Sequence, residues 1–106
     1  MDVHTLDALP EINPVDGYRA RIAHGTDCTL AFWTVEAGAV LPEHRHPHEQ
    51  VLCVQEGTFE LTVDGETRTL EPGSVVPIPG DVPHGGRAVT PCRLLDVFRP
   101  KRDDLA

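Results

Sequence analysis

Short apolar stretches alternate with polar turn clusters along the whole chain, and no segment sustains a helical period. Tyr18 to Ala23 reads as a short strand. A polar turn at Gly25-Thr26-Asp27 separates it from Cys28 to Glu36, a run rich in β-branched and aromatic residues (Leu30, Phe32, Trp33, Thr34, Val35) that Gly38 ends. Gln50 to Gln55 is a further strand, closed by Glu56-Gly57. Thr58 to Val63 alternates, with Phe59, Leu61 and Val63 on one face. It runs directly into Asp64-Gly65, a hairpin signal, so Glu66 to Leu70 is the return strand. Val75 to Ile78 lies between two Pro-Gly turns, and Arg93 to Phe98 is the last strong strand. Pro10 and Pro14 break residues 1–16 into an irregular or edge-forming lead. Roughly eight short strands at near-regular spacing predict an all-β sandwich or closed barrel. With no repeat or linker in view, the expectation is one domain: a core barrel over about 18–99, an N-terminal arm over 1–17 and a tail over 100–106.

Composition narrows the function classes. A chain of 106 residues, 40% hydrophobic, buries one modest core and is not a disordered segment. Its formal net charge is −8 and it has no Lys/Arg-rich run, which argues against nucleic acid as a partner. An anionic ligand would need a local positive centre on this acidic chain. Three cysteines, an odd count without a CxxC pair, point to a reducing compartment. The first residues lack a basic region followed by an apolar run, and no apolar stretch reaches membrane-spanning length. The expected location is therefore the cytoplasm, with no membrane partner.

Candidate chemistry concentrates in His44-Arg45-His46-Pro47-His48, three of the six histidines. Side chains alternate on an extended strand, so His44 and His46 share a face and form a natural metal half-site. A solvated histidine-rich loop is the competing reading, and for a lone His-x-His it is the better one. His48 reads as a rim or loop residue, and His4 and His24 as surface residues.

The surrounding spacing shifts the balance. Gly38, five residues, His44, one residue, His46, three residues, Gln50, six residues and Gly57 form one block. Gly73, five residues, Pro79, one residue, Asp81, two residues and His84 form another. The two blocks resemble the paired signature motifs of the cupin superfamily. That resemblance implies a jelly-roll β-barrel (double-stranded β-helix) around one divalent metal ion, with His44, His46 and His84 as ligands. Three positions depart from the pattern: Gln50 stands for the usual Glu, Asp81 for the usual Gly, and no Asn follows the last His. Gln50 is either a lost ligand or a neutral oxygen ligand, and its retained register favours ligation. Three imidazoles and an amide would leave the ion's charge uncompensated, which favours an anionic ligand and Lewis-acid chemistry. These donors suit zinc, nickel, manganese or iron.

A second constellation lies in Leu94-Leu95-Asp96-Val97-Phe98-Arg99-Pro100-Lys101-Arg102-Asp103-Asp104. Strand parity sets Leu94, Asp96 and Phe98 on one face and Leu95 and Val97 on the other. Both faces are apolar enough to be the inner one, so Asp96 is either a buried carboxylate or a solvent-facing one. Together with the histidine block, this string is similar to the small cupins of the pectin-degradation type, which convert unsaturated uronate monosaccharides from cyclic to linear form. The resemblance implies a three-His, one-Gln metal set and catalytic roles for Asp96 as general acid or base, Phe98 as pocket wall and Arg102 as partner of the sugar carboxylate. A solvated tail arginine is the competing reading of Arg102. Two other functions stay open: a non-haem iron dioxygenase, and a non-enzymatic module that binds a small ligand. The N-terminal segment is expected to pair with another protomer's sheet in a homodimer, on family resemblance and small size.

Overall fold

The computed structural model describes residues 1–105. One turn of 3-10 helix at Leu6–Ala8 precedes ten strands: β1 (Glu11–Val15), β2 (Tyr18–His24), β3 (Thr29–Val35), β4 (Val40–His44), β5 (Glu49–Glu56), β6 (Phe59–Val63), β7 (Glu66–Leu70), β8 (Val75–Ile78), β9 (His84–Ala88) and β10 (Cys92–Arg99). They form a six-stranded sheet in the order β1-β2-β3-β10-β5-β8 and a four-stranded sheet in the order β4-β9-β6-β7. Every ladder is antiparallel. The architecture is the jelly roll, with hydrogen bonding divided between two sheets rather than running unbroken around a cylinder. Among the described residues, no helix is long and apolar enough to cross a membrane.

Ten strands stand where sequence patterning counts about eight, and β4 and β9 are the unforeseen ones. β4 is Val-Leu-Pro-Glu-His and mostly exposed, while β9 contains Gly85-Gly86. Neither carries an apolar alternation; their neighbours hold them, β9 lying between β4 and β6. The N-terminal segment, expected to be irregular or edge-forming, contains the edge strand β1. Residues 11–15 pair with β2 of their own chain, Glu11 opposite Arg21, and make the sheet edge. Three strand prolines, Pro14, Pro42 and Pro77, all fall on edge strands (β1, β4, β8), where a missing N–H leaves no ladder bond unmade.

The inner faces follow the period of two. On β10, Cys92, Leu94, Asp96 and Phe98 point inward, which settles the orientation of Asp96. Tyr18, Ala20 and Ile22 of β2, Leu52 and Val54 of β5, and Phe59 and Leu61 of β6 meet them across the interior. β10 lies between β3 and β5, with Asp96 opposite Ala31 on one side and Leu52 on the other. Packing against the smaller sheet tolerates no extra volume at Gly86, where a methyl group would overlap the Phe59 ring and the Glu60 carbonyl. Gly86→Ala is therefore expected to lower the unfolding free energy by about 1–3 kcal/mol, the usual cost of overpacking. Urea unfolding checks this, and a midpoint equal to wild type would show slack at that contact.

Candidate metal centre and cavity

His44 and His84 are register partners on β4 and β9, which puts their imidazole centroids 4.4 Å apart. His46 follows just past the end of β4, its ring 4.9 Å from that of His84 and 5.6 Å from that of His44. Ligand atoms of the three lie within 4.8 Å of one another. The loop carrying His46 is held from below by the Pro79-Gly80-Asp81 turn. The Asp81 N–H donates to the His46 carbonyl at 2.8 Å, and Gly80 approaches the Pro47 carbonyl so closely that no side chain fits. Asp81 has φ 63°, the left-handed region that favours glycine but that Asp tolerates. The departure from the usual Gly thus keeps the same backbone shape.

Each imidazole is oriented by the backbone. Nδ1 of His44 lies 3.0 Å from the Pro42 carbonyl, Nδ1 of His46 3.0 Å from the His48 carbonyl, and Nδ1 of His84 2.8 Å from the Val82 carbonyl. A carbonyl only accepts, so each Nδ1 carries the proton and each Nε2 offers a bare lone pair. Burial, with help from the Arg102 guanidinium and a neighbouring imidazole, holds His46 and His84 below the usual histidine range. They are therefore poised as neutral donors.

The fourth expected donor comes from the opposite sheet. Gln50 Nε2 donates to Asp96 Oδ1 at 2.8 Å, which turns Gln50 Oε1 toward His46 Nε2 at 3.2 Å. With the proton on Nδ1, oxygen and nitrogen lone pairs face each other there. His84 Nε2 is buried without a hydrogen-bond partner. Opposed lone pairs and an orphaned buried acceptor are what a cation resolves, so this donor set fits a metal ion.

Asp96 is the buried carboxylate of the site. Its Oδ2 accepts from the Trp33 indole at 2.9 Å, its Oδ1 from Gln50. Burial pushes its pKa up to about 7 against the opposing pull of these two donors and of Arg102. Phe98 is buried between two functional groups: the His46 ring meets it edge-on at 5.7 Å, and the Arg102 guanidinium lies 4.7 Å from its centroid. Arg102 is no free tail arginine. It is largely covered and makes a two-bond pair with the exposed Asp104, Nη2 to Oδ2 at 2.7 Å and Nε to Oδ1 at 3.2 Å.

One cavity of about 330 Å³ collects these groups. His44, His84, Gln50, Asp96, Phe98 and Arg102 line it, and His46 borders it through its contacts with Gln50, His84 and Phe98. Most of the remaining wall is apolar, including Leu41, Leu52, Phe59, Leu61 and Leu94, while Glu43 adds a second carboxylate residue to the lining. Sequence reasoning missed Trp33, which sits diagonally across the ladder from Asp96 (Leu94 pairs with Trp33, Asp96 with Ala31). His24 is exposed, as expected of a surface residue, and it also bonds Thr29 and the Leu105 carbonyl, which the sequence did not show. Only the strand register could have revealed either. His48 is half-buried beside His46, and its Nδ1 is buried without a partner.

Comparisons with known proteins agree with this geometry. A family model described as the cupin domain matches residues 31–98. The chain is 35% identical over 92 residues, 84% of each chain, to the pectin degradation protein KdgF of Dickeya dadantii. The solved structure of KdgF from a Halomonas species superimposes with a TM-score of 0.91 at 30% identity, covering 100% of this chain and 99% of that one. An RmlC-like cupin from Shewanella frigidimarina gives 0.90 at 27% identity, covering 97% and 94%.

Metal addition should be visible as stability. At a hundredfold excess over its dissociation constant, a divalent ion is expected to raise the unfolding free energy by about 2.7 kcal/mol, and a chelator should reverse it. Thermal unfolding of His84→Ala should show no such rise; an undiminished one would place metal binding elsewhere.

Proposed function

The chain belongs to the cupin family, and we propose that with a bound divalent metal ion it opens the ring of a small unsaturated uronate. One observation carries the reading: the buried Asp96 carboxylate lines the same cavity as a three-histidine cluster and a guanidinium. Similarity to pectin degradation proteins supports the substrate class.

Linearising such a ring is an isomerisation. The anomeric hydroxyl loses a proton as the bond from the anomeric carbon to the ring oxygen breaks, and the opened fragment takes a proton back. No co-reactant is needed. Asp96 takes the first proton on a carboxylate oxygen and returns it, as general base and then acid. Trp33 and Gln50 hold that carboxylate at a fixed position in the wall. Arg102 pairs with the sugar carboxylate, its plane steadied on Phe98. A metal ion held by His44, His46 and His84, with the Gln50 amide oxygen as fourth ligand, would supply Lewis-acid polarisation of a substrate oxygen. Because all four donors are neutral, the site attracts an anion.

The apolar wall constrains the pose. Tyr18 donates its hydroxyl to the Ala39 carbonyl, and Trp33 gives its N–H to Asp96, so both polar tips on that wall are already bonded. A ring hydroxyl buried there unpaired would cost about 1–3 kcal/mol. The sugar hydroxyls therefore face the histidine side and the cavity opening.

With metal-loaded protein, the ultraviolet absorbance of an unsaturated galacturonate monomer is expected to decay faster than in buffer. Asp96→Asn should slow the decay by a factor of about 10²–10⁴. Decay at the buffer rate with wild type overturns the uronate reading, and iron as the predominant bound metal, with oxygen consumption, would support a dioxygenase instead. Gln50→Ala tests the fourth ligand separately: metal affinity should fall by about tenfold or more, and an unchanged affinity would remove Gln50 from the ligand set.

A further inference from the structure

Arg102 lies beyond the last strand, in a segment with no ladder bonds, yet it forms part of the cavity wall. Something other than the sheet must hold it there. Its backbone N–H donates to Thr29 Oγ1 at 2.9 Å. Thr29 Oγ1 is 2.8 Å from His24 Nδ1, and His24 Nε2 is 3.0 Å from the Leu105 carbonyl. With a neutral His24 ring, one direction satisfies the whole chain of bonds. The Leu105 carbonyl must accept, so His24 carries its proton on Nε2. His24 Nδ1 must then accept, so the Thr29 hydroxyl gives its proton to it while accepting from Arg102. The circuit thus runs from residue 102 through Thr29 and His24 to residue 105. Leu105 N–H closes the turn on the Arg102 carbonyl at 3.2 Å, and the Leu105 side chain packs against the Ala20, Ile22, Ala31 and Phe98 cluster.

We propose that Thr29 and His24 are positioning residues for Arg102: a side-chain clip that fixes residues 102–105 on the barrel and so presents the guanidinium to the cavity. Register makes the clip possible. Thr29 is the ladder partner of His24 on one side and of Phe98 on the other, so the strand that anchors the tail also borders the ring on which Arg102 rests. Thr29 is fully buried, which makes its two hydrogen bonds costly to lose, while His24 is exposed and can be changed without opening the core. The proposal builds on the reading of Arg102 as the anion-binding group of the proposed activity.

Limited trypsin digestion of the full chain tests the clip without reference to activity, because Lys101 and Arg102 are cleavage points within the clipped segment. Cleavage there requires local opening, so its rate follows the open population. Thr29→Val and His24→Ala are expected to raise the rate about tenfold, as the loss of part-buried hydrogen bonds would, and Thr29→Ser should restore the slow rate. His24→Ala serves alone if Thr29→Val does not fold. Cleavage at the wild-type rate in the folded variants overturns the clip. If wild type turns over unsaturated galacturonate, both variants should raise KM about tenfold with kcat within about twofold, and Thr29→Ser should recover KM. A loosened tail with unchanged KM overturns the positioning role. If wild type shows no turnover, the uronate reading fails while the digestion still decides the clip.

Discussion

Asp96 sits at the centre of β10, itself the inner strand between β3 and β5, and both of its oxygens accept hydrogen bonds. That constraint dictates the polarity of the whole site. Since a carboxylate can only accept from Gln50, the amide must present nitrogen to Asp96 and oxygen to His46. Were residue 96 apolar, the amide could turn and donate to the His46 Nε2 lone pair, and the histidine cluster would lose the oxygen beside it. The three histidines obey the same logic, each Nδ1 tied to a carbonyl two residues away. The three imidazoles, and the Gln50 oxygen beside His46, are thus oriented by bonds made on their far sides, to the protein's own backbone and core.

Much of this was legible in the sequence, and the remainder was hidden for physical reasons. β6, which alternates, and β7, which follows from the Asp64-Gly65 turn, fall where the sequence puts them. β4 and β9 do not, because an edge strand such as β4 can hold proline and polar residues, and β9, held by ladders on both sides, can hold a glycine pair. The spacing of His44, His46, Gln50 and His84 located a cluster, although nothing in the spacing reveals that His44 and His84 are cross-strand partners while Gln50 arrives from the other sheet. Parity could not choose the face of Asp96, since Leu94 and Phe98 argue for one side and Leu95 and Val97 for the other. The choice is made by β3 and β5, whose buried residues face the same interior. Trp33, Thr29 and His24 were illegible for a stronger reason: their partners are 63, 73 and 81 residues away.

The departures from the family pattern follow from the same geometry. Asp81 occupies a left-handed position that glycine ordinarily fills, and its N–H still pins the His46 loop. Gln in place of Glu at position 50 has a larger electrostatic consequence. A second carboxylate within hydrogen-bond distance of Asp96 would place two like charges together in a buried setting, and one would have to stay protonated. A neutral amide avoids that conflict, donates to Asp96 and still turns an oxygen toward the histidines.

The pairing of Arg102 follows from that charge balance. In a chain with a formal net charge of −8, a guanidinium beside buried neutral imidazoles is the local positive group, and it needs a counter-charge when no ligand anion is present. Asp104 provides one from the solvent side, its side chain 59% exposed. Asp104 is the more exposed partner and returns to water on release, so under the proposed function a carboxylate arriving from the less solvated cavity side can share or replace that contact. What must not give way is the placement of the guanidinium itself. Its stack on Phe98 and its backbone bond to Thr29 both lie on the barrel side, out of reach of that exchange. The contact with Asp104 therefore faces solvent and the other two face the core, the arrangement that the proposed anion-binding role of Arg102 requires.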